Sequence, residues 1–294
     1  MKIGHLLRLY EQGNRDFTEI DLNGADLHHV TLLSVNLMGA NLMGSNLSRG
    51  FFIKSNLSRA KLNWANLTFV KMSQAELVEA DLTKANLSGA FMVKSNLMKA
   101  KMSGADLSHT NLRGSDLRGA NLCGANLYRV NLREANLQGV NFNWANLKEA
   151  RLSSAILTDI CCYHANFSGS FLKDVDLSGA DLEGVDLSYV KLGDSQLVGA
   201  NLSGANLTGA NLRNVDLRGA NLKKANLSEA NLDGANLEGA ILTGAILRET
   251  NLSEAKGVKV KPDKIFNTQP IKNESSKLSF DSSTLKILQA RFVS

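Results

Sequence analysis

From Phe17 to Leu252 a large apolar residue stands at every fifth position of the chain. Leu, Phe or Met fills 47 of these 48 centres, and Cys162 fills the other. Two places before the centre comes a small residue (Ala, Ser, Thr, Val or Gly) in 45 of the 48 pentads, the exceptions being Arg15, Ile20 and Ile160. Asn or Asp directly precedes the centre in 33 of them, and Gly recurs two places after it, as in Gly114, Gly119 and Gly124. A period of five fits neither a helix of about 3.6 residues per turn nor an alternating strand. The chain must therefore turn once per pentad, returning the small and the large residue to the interior each time. Asn, Asp and Gly are expected at those turns, because they tolerate left-handed backbone and the first two can hydrogen-bond locally. No Pro occurs between residues 1 and 261, as expected where every amide is needed as a donor.

The A-[N/D]-L-x-x unit, plain in Ala200-Asn201-Leu202-Ser203-Gly204-Ala205-Asn206-Leu207, resembles the pentapeptide-repeat family. The resemblance covers about four-fifths of the chain without a gap. It implies an all-β solenoid, a right-handed quadrilateral β-helix with one pentad per side and four per coil. On that basis residues 15–255 form about 12 coils, a rod about 58 Å long at about 4.8 Å per coil. Its core would be stacked Leu and Ala, too tight for a ligand cavity, and both ends of such a solenoid need caps. The lead-in from Leu6 to Phe17 is similar to that of cyanobacterial members.

Residues 1–14 lie out of register with the repeat. Leu6, Leu7 and Tyr10 fall at helical spacing, with Gly13 as a stop, so this segment is expected to be a helical cap. Residues 256–294 hold both prolines, Pro262 and Pro270, and Asp281-Ser282-Ser283 can cap a short final helix carrying Leu285, Ile287, Leu288 and Phe292. Near the last coils Ile241 and Ile246 occupy the usual Asn/Asp position and should point outward. The tail is expected to fold over that apolar corner through Leu285, Leu288 and Phe292. A homodimer through the same surface is the alternative.

The 294 residues are 44% hydrophobic but only 6% aromatic, which matches a Leu/Ala core. The net charge of +5 sits entirely in the tail: residues 1–255 carry 25 basic and 25 acidic side chains, and residues 256–294 carry eight against three. Some pentapeptide-repeat proteins mimic DNA and inhibit type II topoisomerases, which calls for a strongly negative rod; a neutral body argues against that alternative. The basic tail suggests recruitment to a membrane surface as a further alternative, but its charges are spread too thinly for a polybasic cluster. Direct nucleic-acid binding would need basic residues collected on one face with stacking aromatics, and a solvated mixed surface is the simpler expectation. No apolar run is long enough to span a bilayer. The N-terminus has no signal-peptide core and three cysteines make no disulfide framework, so a cytoplasmic location is expected.

With a coil of 20 residues, positions 20 apart stack. Phe51, Lys71 and Phe91 then share one column, and Leu33, Ile53 and Val93 lie beside it on the same side. Met38, Val78 and Met98 fall on the adjacent side. Contiguous exposed apolar area often marks a protein interface, so these nine residues form the candidate binding face. Trp64 and Trp144 share another column and are expected to be surface packing residues. Chemistry is sparse: His5, His28, His29, His109 and His164 do not cluster, Cys161, His164 and Asp181 make at best an incomplete metal set, and no catalytic or cofactor motif is present. The sequence therefore reads as a non-catalytic scaffold without cofactor or metal, presenting a rigid surface to a protein partner. Some cyanobacterial relatives act in heterocyst-differentiation control through such contacts.

Overall fold

The computed structural model describes residues 3–257, which fall into two compact units, residues 3–166 and 167–257. The expected tail contacts of Leu285, Leu288 and Phe292 lie outside the described residues. Each unit is built from the same rung. In the first, parallel bridges join residues 20 apart from Asp16↔Asn36 to Asn146↔Asn166. In the second they run from Phe171↔Lys191 to Asn236↔Lys256. A coil is thus four pentads, one per side, and each side meets the next coil at a single rung rather than along an extended strand.

One pentad shows why the repeat is five long. The Ser45 N–H donates to Leu42 O across the corner (3.1 Å), and the Asn46 N–H donates to Ala25 O on the preceding coil (2.9 Å). The Leu47 and Arg49 N–H groups donate to Asn66 O and Thr68 O on the next coil (2.7 and 2.9 Å). The Ser48 N–H has no backbone acceptor, and Asn46 Oδ1 takes it at 3.2 Å. All five donors are satisfied, as backbone withdrawn from water requires. The same Oδ1 contact recurs at Thr68, Ser108, Tyr128 and Ser203, among others. The Asn side chains also bond one another along the stack: Asn66 Nδ2 donates to Asn46 Oδ1 (3.2 Å) and Asn146 Nδ2 to Asn126 Oδ1 (3.0 Å).

This corrects one expectation. The residue before the centre does not take the left-handed conformation; it sits on the rung and accepts. The left-handed residue is the one two places after the centre, with φ from 53° to 73° at every pentad from Glu19 to Glu254. The i→i+3 bond that closes each turn, such as Gly50 N–H to Leu47 O, and the positive φ at the third residue match a type II turn. Gly suits that position, yet Lys, Glu, Arg and even Trp64, Phe69, Trp144 and Tyr189 occupy it elsewhere. An L-residue there costs roughly 1–2 kcal/mol, so the stacked rungs on either side must impose it.

The centres and the small residues line the interior. Every centre in the first unit is buried, Cys162 included, with Phe52 and Phe142 the largest fully buried side chains. Burying each Leu contributes about 1.5–3 kcal/mol. Most Ser and Thr side chains at the small position donate to backbone carbonyls, as Ser95 does to Met72 O (2.6 Å), whereas Ser170 Oγ is buried without a partner. In the second unit Leu247 is half-buried, next to exposed Ile246.

The first unit opens with helix α1, Ile3–Glu11. Gly13 ends it: the Gly13 N–H donates to Tyr10 O and the Asn14 N–H to Leu9 O, with Gly13 at φ 95°, which is a Schellman closure. Leu6 is the buried residue of the helix. The sequence also supplies a second tie. Thr31 stands where an Asn or Asp would accept the Leu33 N–H, and the Tyr10 hydroxyl accepts it instead at 3.0 Å. Arg15 lies 3.9 Å over the Tyr10 ring and donates to Tyr10 O.

Phe69 and Tyr189 at the left-handed position lie along the stack, and the residue one coil further on is Gly in both cases. A Cβ added to Gly89 would stand 2.5 Å from the Phe69 ring, and one added to Gly209 would stand 2.5 Å from the Tyr189 ring. Gly89→Ala therefore carries two costs, about 1 kcal/mol for the left-handed backbone and about 1 kcal/mol more for displacing the ring. In a Phe69→Ser background only the first remains. Urea denaturation of the four proteins should show Gly89→Ala roughly twice as costly with Phe69 present; equal costs in both backgrounds would contradict the packing described.

Candidate protein interface

Three of every five residues face out: the rung residue, the one after the centre and the left-handed one. The rungs Thr31, Phe51, Lys71, Phe91, Asn111, Asn131 and Arg151 succeed one another down one side of the first unit, called the Phe51 side. Phe51 is 41% exposed and Phe91 40%. Leu33 beside them is exposed, and Ile53 and Val93 are half-buried. On the adjacent side Met38 is exposed, with Val78 and Met98 half-buried. The fold thus places eight apolar candidates outward over two neighbouring sides, and Lys71 divides the two Phe rings. Its Nζ lies 5.3 Å over the Phe91 ring, a cation–π contact, so one ring face is already occupied.

The same side carries a feature that single columns of the sequence do not show. From the coil of Phe51 to the coil of Arg151 each successive coil puts one cation on it: Lys54, Lys71, Lys94, Arg113, Arg133 and Arg151. These occupy different places within their pentads, so only the three outward columns together reveal the row. Glu134 is the one carboxylate among those pentads. It holds Arg113 at 2.6 Å, and the hydrogen bonds from Arg113, with the positive charge of Arg113, Arg133 and Lys94 around it, keep its carboxyl below the usual range. Among the described residues the other five cations form no ion pair. The adjacent side balances its charges differently, with Arg59 and Glu79 paired at 3.1 Å and Arg118 on Asp116 at 2.6 Å.

The remaining candidates separate. Ile241 and Ile246 both project from the second unit. Cys161 is exposed and Cys162 buried. His164 stacks on Trp144 at 4.3 Å between ring centroids, and Tyr163 meets both rings edge-on. Trp144 and Tyr163 are each 59% exposed, forming a surface aromatic cluster that the sequence columns do not reveal because Tyr163 lies one column aside. Trp64 is exposed without such a stack. No group of three or more His, Cys, Asp or Glu side chains among the described residues is placed to hold a metal, and no described helix is long and apolar enough to cross a membrane.

The repeated rung, the 20-residue coil and the outward columns define a class: a stacked-repeat protein whose surface is a lattice of short ladders. The chain belongs to the pentapeptide-repeat family, whose model matches in eight copies between residues 20 and 256. It is similar to HetL from the cyanobacterium Nostoc sp. Strain PCC 7120, a pentapeptide repeat protein involved in heterocyst differentiation regulation, at 30% identity over 87% of this chain and 98% of that one, with a TM-score of 0.35. It is also similar to Rfr23 from the cyanobacterium Cyanothece 51142, at 30% identity over 45% of this chain and 88% of that one, TM-score 0.27. A trypsin-treated QnrB1, a plasmid-mediated fluoroquinolone resistance protein, aligns at 17% identity over 86% and 95%, TM-score 0.31. No curated protein matches the chain in sequence.

Neighbouring residues on the Phe51 side should behave oppositely on substitution. Phe52→Ala empties a core centre and should cost about 3–5 kcal/mol. Phe51→Ser and Phe91→Ser, on the surface, should each cost about 1 kcal/mol or less. Thermal melts in which Phe51→Ser destabilises as much as Phe52→Ala would show that the exposed rings are part of the packing.

Proposed function

We propose that the protein is a non-catalytic scaffold that presents the Phe51 side of its first unit to a protein partner. One observation carries this reading: Leu33, Phe51, Ile53, Phe91 and Val93 share a side whose other outward positions are polar, and exposed apolar patches of this kind mark interfaces. Met38, Val78 and Met98 extend the patch around one corner. A regulatory role of the kind named for HetL fits such a module, and so does a cyanobacterial setting. DNA mimicry fits poorly, because the Phe51 side carries six cations against one carboxylate.

Affinity purification with the intact protein and with a Phe51→Asp/Phe91→Asp variant tests the reading. The intact protein should retain a partner that the variant loses, while the two proteins melt alike. Recovery of the same partners by both would place the interface elsewhere.

A further inference from the structure

The partner reading leaves the chemistry of the partner open, and the row of cations addresses it. We propose that the Phe51 side binds an extended acidic segment of the partner in which pairs of carboxylates alternate with pairs of apolar side chains. This rests on the assignment of that side as the interface and goes beyond it by stating what must lie against it.

Cations recur once per coil over six consecutive coils, a row about 24 Å long at about 4.8 Å per rung. The apolar residues overlap the first half of that row, beginning one coil earlier at Leu33. An extended chain advances about 3.3 Å per residue, so roughly nine residues would run from Leu33 to Arg151. Successive side chains of such a segment point to opposite faces, so residues arranged in pairs put both a carboxylate and an apolar side chain on the face that meets the ladder. One half of the row offers anchors that exclude water, and the other offers charge alone. Charge complementarity of this kind sets partner choice and register.

A single-stranded nucleic acid is the other polyanion that could track a basic row. It gains from aromatic faces on which bases stack, and here the Phe91 face is occupied by the Lys71 ammonium. Phe51 leaves a single ring, and the other apolar neighbours, Leu33, Ile53 and Val93, are aliphatic. They bury side chains well and offer no stacking platform. The side therefore suits a peptide.

Fluorescence anisotropy with the full-length protein tests the proposal. The probes are a labelled peptide of about ten residues in which Glu-Glu and Leu-Leu pairs alternate, a Glu-only peptide of the same length, and an oligo-dT of about ten nucleotides. The Glu/Leu peptide should bind, with the other two weaker by about tenfold or more. Lys54→Gln/Lys94→Gln/Arg133→Gln should weaken that binding about tenfold, and Lys61→Gln/Lys84→Gln/Lys101→Gln, on another side, should leave it unchanged. Tighter binding of oligo-dT would overturn the proposal in favour of nucleic acid. Equal binding of the Glu-only peptide, equal losses in both triple variants, or no peptide binding would also overturn it. Should the affinity purification still yield a partner dependent on Phe51 and Phe91, only the acidic-segment proposal falls; should that dependence be absent, the interface assignment falls first.

Discussion

A chain that turns after every fifth residue leaves one amide per pentad facing no backbone carbonyl. Four of the five N–H groups go to the turn or to neighbouring coils, and the fifth, on the residue after the centre, must find a side chain. Asn and Asp directly before the centre are the residues whose Oδ1 reaches it, from two places back along the chain. In an otherwise repetitive chain this single contact explains why the rung position is so strongly polar. It also explains why the interior can consist of little more than Leu and Ala: with the backbone satisfied from outside, the centre has only to fill space.

Where that contact is missing, the structure becomes informative. Thr31 does not take the Leu33 N–H, and the Tyr10 hydroxyl of the lead-in helix accepts it instead. Phe51, Lys71 and Phe91 carry no acceptor, so the amides of Ile53, Ser73 and Val93 lack this side-chain partner on the side where apolar and cationic residues gather. The unusual residues of the Phe51 side therefore replace ladder-forming Asn at some cost to local hydrogen bonding. That exchange makes sense for a surface selected for something other than its own stability.

The centre and the small position, and with them the interior, were legible in the sequence because a strict period of five admits few alternatives. The place of the left-handed residue was not. Gly at Gly114, Gly119 and Gly124 hints at it, but Lys84, Glu149 and Trp144 hold the same conformation, forced by the coils above and below rather than by their own preference. The nine candidate interface residues could be placed on two sides from columns alone. The cation row could not, because Lys54, Lys71 and Arg113 sit at three different places in their pentads, and only the folded coil shows them to share a side. Tyr163 against Trp144 and His164 was hidden for the same reason.

The dependence of the fold on the rung side chain is most directly tested by native-state hydrogen exchange, read amide by amide. The amides of Ser48, Thr68 and Tyr128, held by Asn46, Asn66 and Asn126, should exchange slowly, whereas those of Ile53 and Ser73, after Phe51 and Lys71, should exchange fast in otherwise protected pentads. Equal protection at both sets would contradict the account, since the side-chain acceptor would then make no difference.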